Sequence, residues 1–282
     1  MSMSVVVFGA KGFIGSALTQ KLITQNLGVK TATSASNSID IVEKMDPASI
    51  ATIVWAASRV NPINASADPD LVHRESMVWS QFLDTFVDHG LAKNTRIILL
   101  SSGGCTYDGM DSPFKESAPS SGINEYGRFK ISMERELQSR DINWIIFRIS
   151  NAFGPNQLLG RGQGVVAEWA DKIKKGEKIP IIGSLDSYRD YVYISDIAGA
   201  IVEAISLPNL SGMYNLGSGI GTSLRELLTI LSKITGKELE YTHHPARISD
   251  RAGYFLDINK IKTDLGWEPK VNIEEGLRRS LS

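Results

Sequence analysis

Val5-Val6-Val7-Phe8 runs directly into Gly9-Ala10-Lys11-Gly12-Phe13-Ile14-Gly15, and Ser16-Ala17-Leu18-Thr19-Gln20-Lys21-Leu22-Ile23 follows. A β-branched run, three glycines and a helical stretch read as strand, tight turn and helix. Glycine has no side chain, so such a turn takes positive φ and lets a phosphate touch the backbone. The helix beyond it aims free N–H groups and the positive end of its dipole at that phosphate. This is how a dinucleotide pyrophosphate is held. Here the glycines fall at every third position, not in the two-then-three spacing of the common dinucleotide fingerprint. Gly9, Lys11, Gly12, Phe13, Ile14 and Gly15 are the candidate cofactor contacts.

Outward from this stretch, strand and helix patterns alternate. Ile53-Val54-Trp55-Ala56-Ala57, Arg96–Leu100 and Trp144–Ile149 are buried-strand runs. Glu75–His89 carries Met77, Val78, Phe82, Leu83, Phe86 and Val87 at helical spacing, and Asn124–Gln138 reads as a helix. Apolar strands alternating with helices predict an α/β fold with a Rossmann-type, doubly wound parallel sheet. Ala56 and Ala57, at a strand end, join the candidate cofactor contacts. After Asn151 the texture changes to Gly-rich polar loops, 153–157 and 160–164, before a helix at Val165–Lys175. This region reads as a smaller, discontinuous α/β substrate lobe. The expected division is 1–152 plus about 191–208 for the dinucleotide domain, and 153–190 with 209–282 for the lobe.

Composition narrows the function classes. Thirty basic and 31 acidic side chains leave a net charge of −1 over 282 residues, with no long like-charge block. Nucleic acid and membrane are therefore not expected partners. Cys105 stands alone, so no disulfide framework is possible and a reducing compartment fits. The N-terminus shows no basic region, long apolar stretch or cleavage site, and no run reaches the ~20 apolar residues of a membrane span. A cytoplasmic location is the expectation. His73, His89, His243 and His244 lack partners at metal-ligand spacing, so no metal is expected.

The strand 96–100 ends in Ser101-Ser102-Gly103-Gly104, and ligands in open parallel sheets bind at the carboxyl ends of strands. Tyr126 follows 24 residues after Ser102, with Lys130 four further on. On a helix that spacing places both side chains on one face. A free phenol has a pKa of about 10 and is a poor base at neutral pH. A nearby ammonium favours the phenolate. The tyrosine can then exchange a proton with a substrate hydroxyl while hydride moves to a nicotinamide. A serine hydroxyl steadies the same oxygen. Ser102, Tyr126 and Lys130 are the candidate catalytic residues, with Ser101 an open alternative. Tyr126 and Lys130 also count as cofactor contacts.

These features resemble the extended short-chain dehydrogenase/reductase superfamily, in its NAD(P)-dependent nucleotide-sugar epimerase and dehydratase branch, and the resemblance covers nearly the whole chain. Leu99–Tyr107 looks like the family's serine strand, and Tyr126 and Lys130 match its active pair. Arg148–Pro155 resembles the segment whose asparagine, here Asn151, helps hold the substrate. Tyr188–Asp196 is similar to the motif whose arginine, here Arg189, binds the nucleotide phosphates. Ala246–Asp250 looks like the second phosphate-contacting arginine, Arg247, with its aspartate, Asp250. Tyr214–Gly219 and Asp264–Pro269 complete the pattern. The resemblance implies a nucleotide-diphosphate sugar as substrate and a 4-epimerase of a nucleotide-linked hexose, UDP-glucose 4-epimerase-like, working through transient 4-keto oxidation. It further implies a role in polysaccharide biosynthesis or galactose metabolism. The equivalents of helices 75–89 and 124–138 pair across a two-fold axis in this family, so a homodimer is expected.

Two departures qualify this reading. NAD enzymes place an acid about 20 residues after the glycine motif. Here Val29–Ser36 contains none, and the first acid is Asp40. Ser34 and Lys11 suit a 2′-phosphate, so the cofactor reading, NAD(P), leans to NADP over NAD. That lean keeps an NADPH-dependent reductase of a nucleotide-4-keto sugar as the alternative function. A 4,6-dehydratase fits less well, because Gly103-Gly104 stand where those enzymes resemble one another in having an Asp-Glu pair. A non-catalytic dinucleotide sensor is a remote reading, since such proteins lose the Tyr-Lys pair.

Overall fold

The computed structural model describes residues 4–32, 38–46, 48–109, 112–159, 164–246 and 251–281. The first half alternates β1 (Ser4–Phe8), α1 (Phe13–Thr24), β2 (Val29–Ala32), α2 (Ser38–Glu43), β3 (Ile50–Trp55), α3 (Asn64–Ala67), α4 (Pro69–Asp88), β4 (Arg96–Ser102), α5 (Gly103–Thr106), α6 (Glu125–Gln138) and β5 (Trp144–Ile149). Then come β6 (Asn151–Phe153), α7 (Val165–Lys175), β7 (Ile179–Ile182), β8 (Tyr188–Tyr193), α8 (Ile194–Ile205), β9 (Gly212–Leu216) and β10 (Gly221–Ser223). The chain closes with α9 (Leu224–Thr235), β11 (Tyr241–His244), α10 (Asn259–Leu265) and α11 (Ile273–Leu281).

Six parallel strands form the central sheet in the order β2-β1-β3-β4-β5-β9. Successive side chains of a strand point to opposite faces. Val5, Val7, Val54, Ile98, Leu100, Ile145 and Phe147 share one core with Leu18 and Leu22 of α1 and Ile197, Ala200 and Ile201 of α8. Val6, Phe8, Ile53, Trp55, Ile97, Leu99 and Ile146 share the other with Trp79 and Phe82 of α4 and Phe129, Met133 and Leu137 of α6. Strands buried on both faces are why their sequences read as continuous apolar runs. The order reverses between β1 and β3, which opens a crevice at their carboxyl ends. Among the described residues no helix is long and apolar enough to cross a membrane.

Some boundaries differ from the sequence reading. The β3 strand spans 50–55, and Ala56 and Ala57 lie just past its end, where they back the glycine turn. α4 begins at Pro69, six residues before the expected start. Asp68 caps it by accepting the Leu71 N–H at 2.8 Å, and a proline fits the first helical turn because its missing N–H would be unpaired there. The expected lobe 209–282 is corrected at its start. Residues 212–216 are β9, the sixth strand of the central sheet, because their buried run pairs in register with β5. The expected divisions at 152/153 and 190/191 fall inside β6 and β8, which pair with each other in a separate sheet, order β10-β8-β6. β11 and β7 form a third, two-stranded sheet.

Candidate active site

The glycine turn closes tightly. Gly9 has φ +80° and its N–H donates to Ala32 O at 2.8 Å. A Cβ on Gly9 would stand 2.7 Å from the backbone of Ala56 and Ala57, and one on Gly15 would overlap the Gly9 carbonyl oxygen. The turn thus fits against the end of β3 only with glycine at both positions. Gly12 caps α1 without a side chain, so the first-turn amides, those of Phe13 and Ile14 among them, face the crevice uncapped. Lys11 is exposed beside them. This cradle fits a dinucleotide pyrophosphate. Ser34 lies outside the described residues.

The catalytic candidates are brought together by a second close approach. Asn124 caps α6 by accepting the Gly127 N–H at 2.8 Å, and its amide reaches Cys105 Sγ at 3.7 Å. Gly122 and Ile123 donate to the carbonyls of Thr106 and Cys105 at 3.1 and 3.0 Å. A side chain on Gly127 would overlap the Cys105 carbonyl. The start of α6, with half-buried Tyr126, is therefore pressed against the turn that follows Ser102. Ser102 ends β4, half-buried, next to the Cys105 thiol.

Ser101 and Ser102 part company here. Ser101 is buried and donates its hydroxyl to Glu134. Glu134 also accepts from Arg148, Nη2 to Oε2 at 2.6 Å, and Arg148 stacks 4.6 Å over the Tyr107 ring. The Ser101 hydroxyl is thus committed to a buried ion-pair network.

Lys130 is 4% exposed, donates to Leu100 O at 3.2 Å and lies 5.7 Å from the Tyr126 ring centroid. Burial pulls its ammonium down to about 8, and the carboxylates of Glu134 and Glu75 push back. Burial raises the Tyr126 phenol above its ordinary value, and Cys105 adds to the shift. Glu134 is on the same face of α6 as Lys130, one turn on. Glu75 comes from α4, which runs alongside α6 in the same direction: Trp79 Nε1 donates to Met133 O at 3.2 Å, and Asp84 pairs with Arg140 at 2.5 Å. Glu75, one turn before Trp79, is therefore level with Phe129 and Lys130. Arg59 grips it, Nε to Oε1 at 2.8 Å. No sequence motif had pointed to Glu75, although a glutamate in an otherwise apolar helix face was a signal.

On the lobe side, Asp190 is fully buried and accepts from the Ser218 N–H at 2.7 Å, the Leu256 N–H at 3.1 Å and the Ser150 hydroxyl at 3.1 Å. It ties β8, the 217–219 turn and the 254–256 strap together. Asn151 donates to Tyr254 Oη at 2.7 Å and to Asp190 O at 3.2 Å, so its amide protons hold the strap. Tyr254 in turn fills the space beside Gly104, where any side chain would overlap its hydroxyl. That contact accounts for Gly104; at Gly103 a Cβ would instead stand 2.7 Å from the Leu256 side chain. Arg189 is half-buried, donates to Tyr188 O at 2.8 Å and lies 5.9 Å from the Tyr254 ring centroid. Arg247 and Asp250 lie outside the described residues. Arg251, just beyond them, faces the same ring at 5.8 Å, and sequence reasoning missed it.

Residues 5–217 match the NAD dependent epimerase/dehydratase family. The chain belongs to that family. Among its relatives, the dTDP-4-dehydro-6-deoxyglucose reductase of Escherichia coli is 27% identical, over 97% of this chain and 95% of the relative. The UDP-glucose 4-epimerase of Mycolicibacterium smegmatis is 28% identical, over 99% and 97%. The crystal structure of Thermus thermophilus UDP-glucose 4-epimerase in complex with NAD superposes with a TM-score of 0.87 at 26% identity, covering 99% of this chain and 98% of that one.

Proposed function

We propose that this family member is an NAD(P)-dependent 4-epimerase of a nucleotide-linked hexose. The carrying observation is the packing of Tyr126 and Lys130 against the turn after Ser102, at the carboxyl edge of the sheet and opposite Arg189. The dinucleotide, when bound, supplies the hydride acceptor and donor. Ser102 has a hydroxyl free of the Glu134 network and donates it to the C4 oxygen of the sugar. Tyr126 takes the proton of that hydroxyl as the 4-keto sugar forms and returns it after the sugar has presented its other face. Lys130 stays charged below a pH of about 8 and stabilises the phenolate. Arg189 holds the diphosphate, and the glycine cradle with Lys11 holds a cofactor whose 2′-phosphate Lys11 neutralises, which favours NADP. Met77 and Val87 on α4, 47% and 40% exposed, support a homodimer through α4 and α6. A monomer mass by light scattering at micromolar protein would remove that part of the reading.

A reductase of a nucleotide-4-keto sugar is the second reading. The E. coli relative is named for a reaction of that kind. Denaturing the purified protein and identifying the released cofactor separates the two. Retained oxidised cofactor together with interconversion of UDP-glucose and UDP-galactose is expected of the epimerase. Protein that is empty, binds NADPH and reduces a 4-keto sugar nucleotide would replace it with the reductase.

A further inference from the structure

Arg251 is 8% exposed, yet its guanidinium has little to hold. Nη2 donates to the Tyr107 carbonyl at 2.5 Å. Nε and Nη1 have no acceptor among the described residues. Arg96, also buried, likewise leaves its Nε without a partner, but it has a structural task. Its two terminal nitrogens donate to the carbonyls of Ala204, Leu207 and Leu210 at 2.7–2.9 Å, closing the end of α8. Arg251 instead lies between two rings, 5.0 Å from the Phe114 centroid and 5.8 Å from that of Tyr254. Arg189 lies 5.9 Å from the same Tyr254 ring. Burial disfavours the charge on Arg251 most; Cys105 and Tyr254 offset part of this, and the neighbouring Arg189 adds to the cost. A buried N–H left without a partner is costly, and so is a pair of neighbouring guanidinium charges. An anion between the two would relieve both costs, because arginine presents its N–H groups as a fork that matches anionic oxygens.

We propose that Arg251 is a substrate contact: with Arg189 it forms a two-arginine cradle around Tyr254 that grips anionic oxygens of the bound nucleotide sugar beside the serine turn. This rests on the nucleotide-sugar reading and adds to it a residue that selects the substrate. Arg251 and Arg189 both act on the Cys105 thiol, which neighbours Ser102, so the cradle lies against the serine turn. The oxygens could belong to the diphosphate or to a carboxylate on the sugar, and the chemistry recognised is the same.

Calorimetric titration of wild type, Arg251→Gln and Arg189→Gln with UDP, UDP-glucose and UDP-glucuronate tests it, with dTDP in parallel. Loss of one charge-assisted fork weakens binding about ten- to a hundredfold. If the diphosphate is gripped, Arg251→Gln weakens all the ligands alike. If a sugar carboxylate is gripped, UDP-glucuronate alone is weakened. Either result supports the proposal. Affinities unchanged in Arg251→Gln while wild type binds tightly would overturn it and leave the nucleotide-sugar reading standing. A lowered melting temperature with unchanged affinity would do the same, since it marks a structural role. Wild type that binds none of these ligands, with Arg189→Gln equally silent, would overturn both readings. Should Arg251→Gln not fold, Arg251→Lys keeps the charge but not the fork, and the same losses are expected of it.

Discussion

Gly127 and Cys105, 22 positions apart in the sequence, meet so closely that the α-carbon of one leaves no space for a side chain under the carbonyl of the other. This contact joins α6 to the serine turn and sets Tyr126 near Cys105 in that turn. Asn124 secures the joint from both sides, capping α6 with its oxygen and reaching Cys105 with its nitrogen.

Gly127→Ala should therefore damage both stability and catalysis. Overpacking of a tight contact costs about 1–3 kcal/mol. The helix must move off the turn, carrying Tyr126 with it, and turnover should fall at least tenfold while cofactor affinity changes little. Denaturant unfolding together with steady-state kinetics checks this. Full activity at wild-type stability would mean that the joint does not position the tyrosine.

Tyr126→Phe isolates the proton transfer. The ring stays and the hydroxyl goes, so fold and cofactor binding should persist. Turnover should drop about 100- to 10,000-fold, the usual loss for a general acid–base group. Near-normal turnover on the substrate would assign the proton to another residue.

Lys130 links the site to stability. Its folded pKa of about 8 lies below the ordinary lysine value near 10.4. Between these values the unfolded chain holds a proton that the folded chain has released, so stability from this group rises with pH across about 8 to 10.5. Below pH 8 the full cost is present, of order 3 kcal/mol. Lys130→Met should then stabilise the cofactor-free protein at pH 7, and the gain over wild type should shrink by pH 10. Urea melts at the two pH values give the comparison. A gain that grew with pH would contradict the assigned direction.

Lys11 bears on cofactor choice. If it meets the adenosine 2′-phosphate, Lys11→Ala should weaken NADP binding about ten- to a hundredfold and leave NAD binding nearly unchanged. Titrating both cofactors into both proteins decides. Equal losses would place Lys11 on the pyrophosphate that the two share. Tight NAD binding by wild type would reverse the lean to NADP.

Much of this protein was legible along the chain because its signals are local. The glycine turn could be read at 9–15 because strand, turn and helix chemistry act over neighbouring residues. The strand Trp144–Ile149 was bounded correctly because strands buried on both faces are continuous apolar runs. The Tyr126–Lys130 pair was visible as an i, i+4 spacing on a helix. Tertiary contact decided the rest. Ser101 and Ser102 are adjacent and chemically identical, and only the strand's alternation, which turns Ser101 onto Glu134, separates them. Residues 212–216 carry no mark of their sheet until they meet β5. Glu75, Tyr254 and Arg251 reach the site from α4 and from the strap after β11, at separations where no periodicity operates. Their roles depend on burial, on charges brought together by packing and on hydrogen bonds left open, and these exist only once the chain has closed on itself.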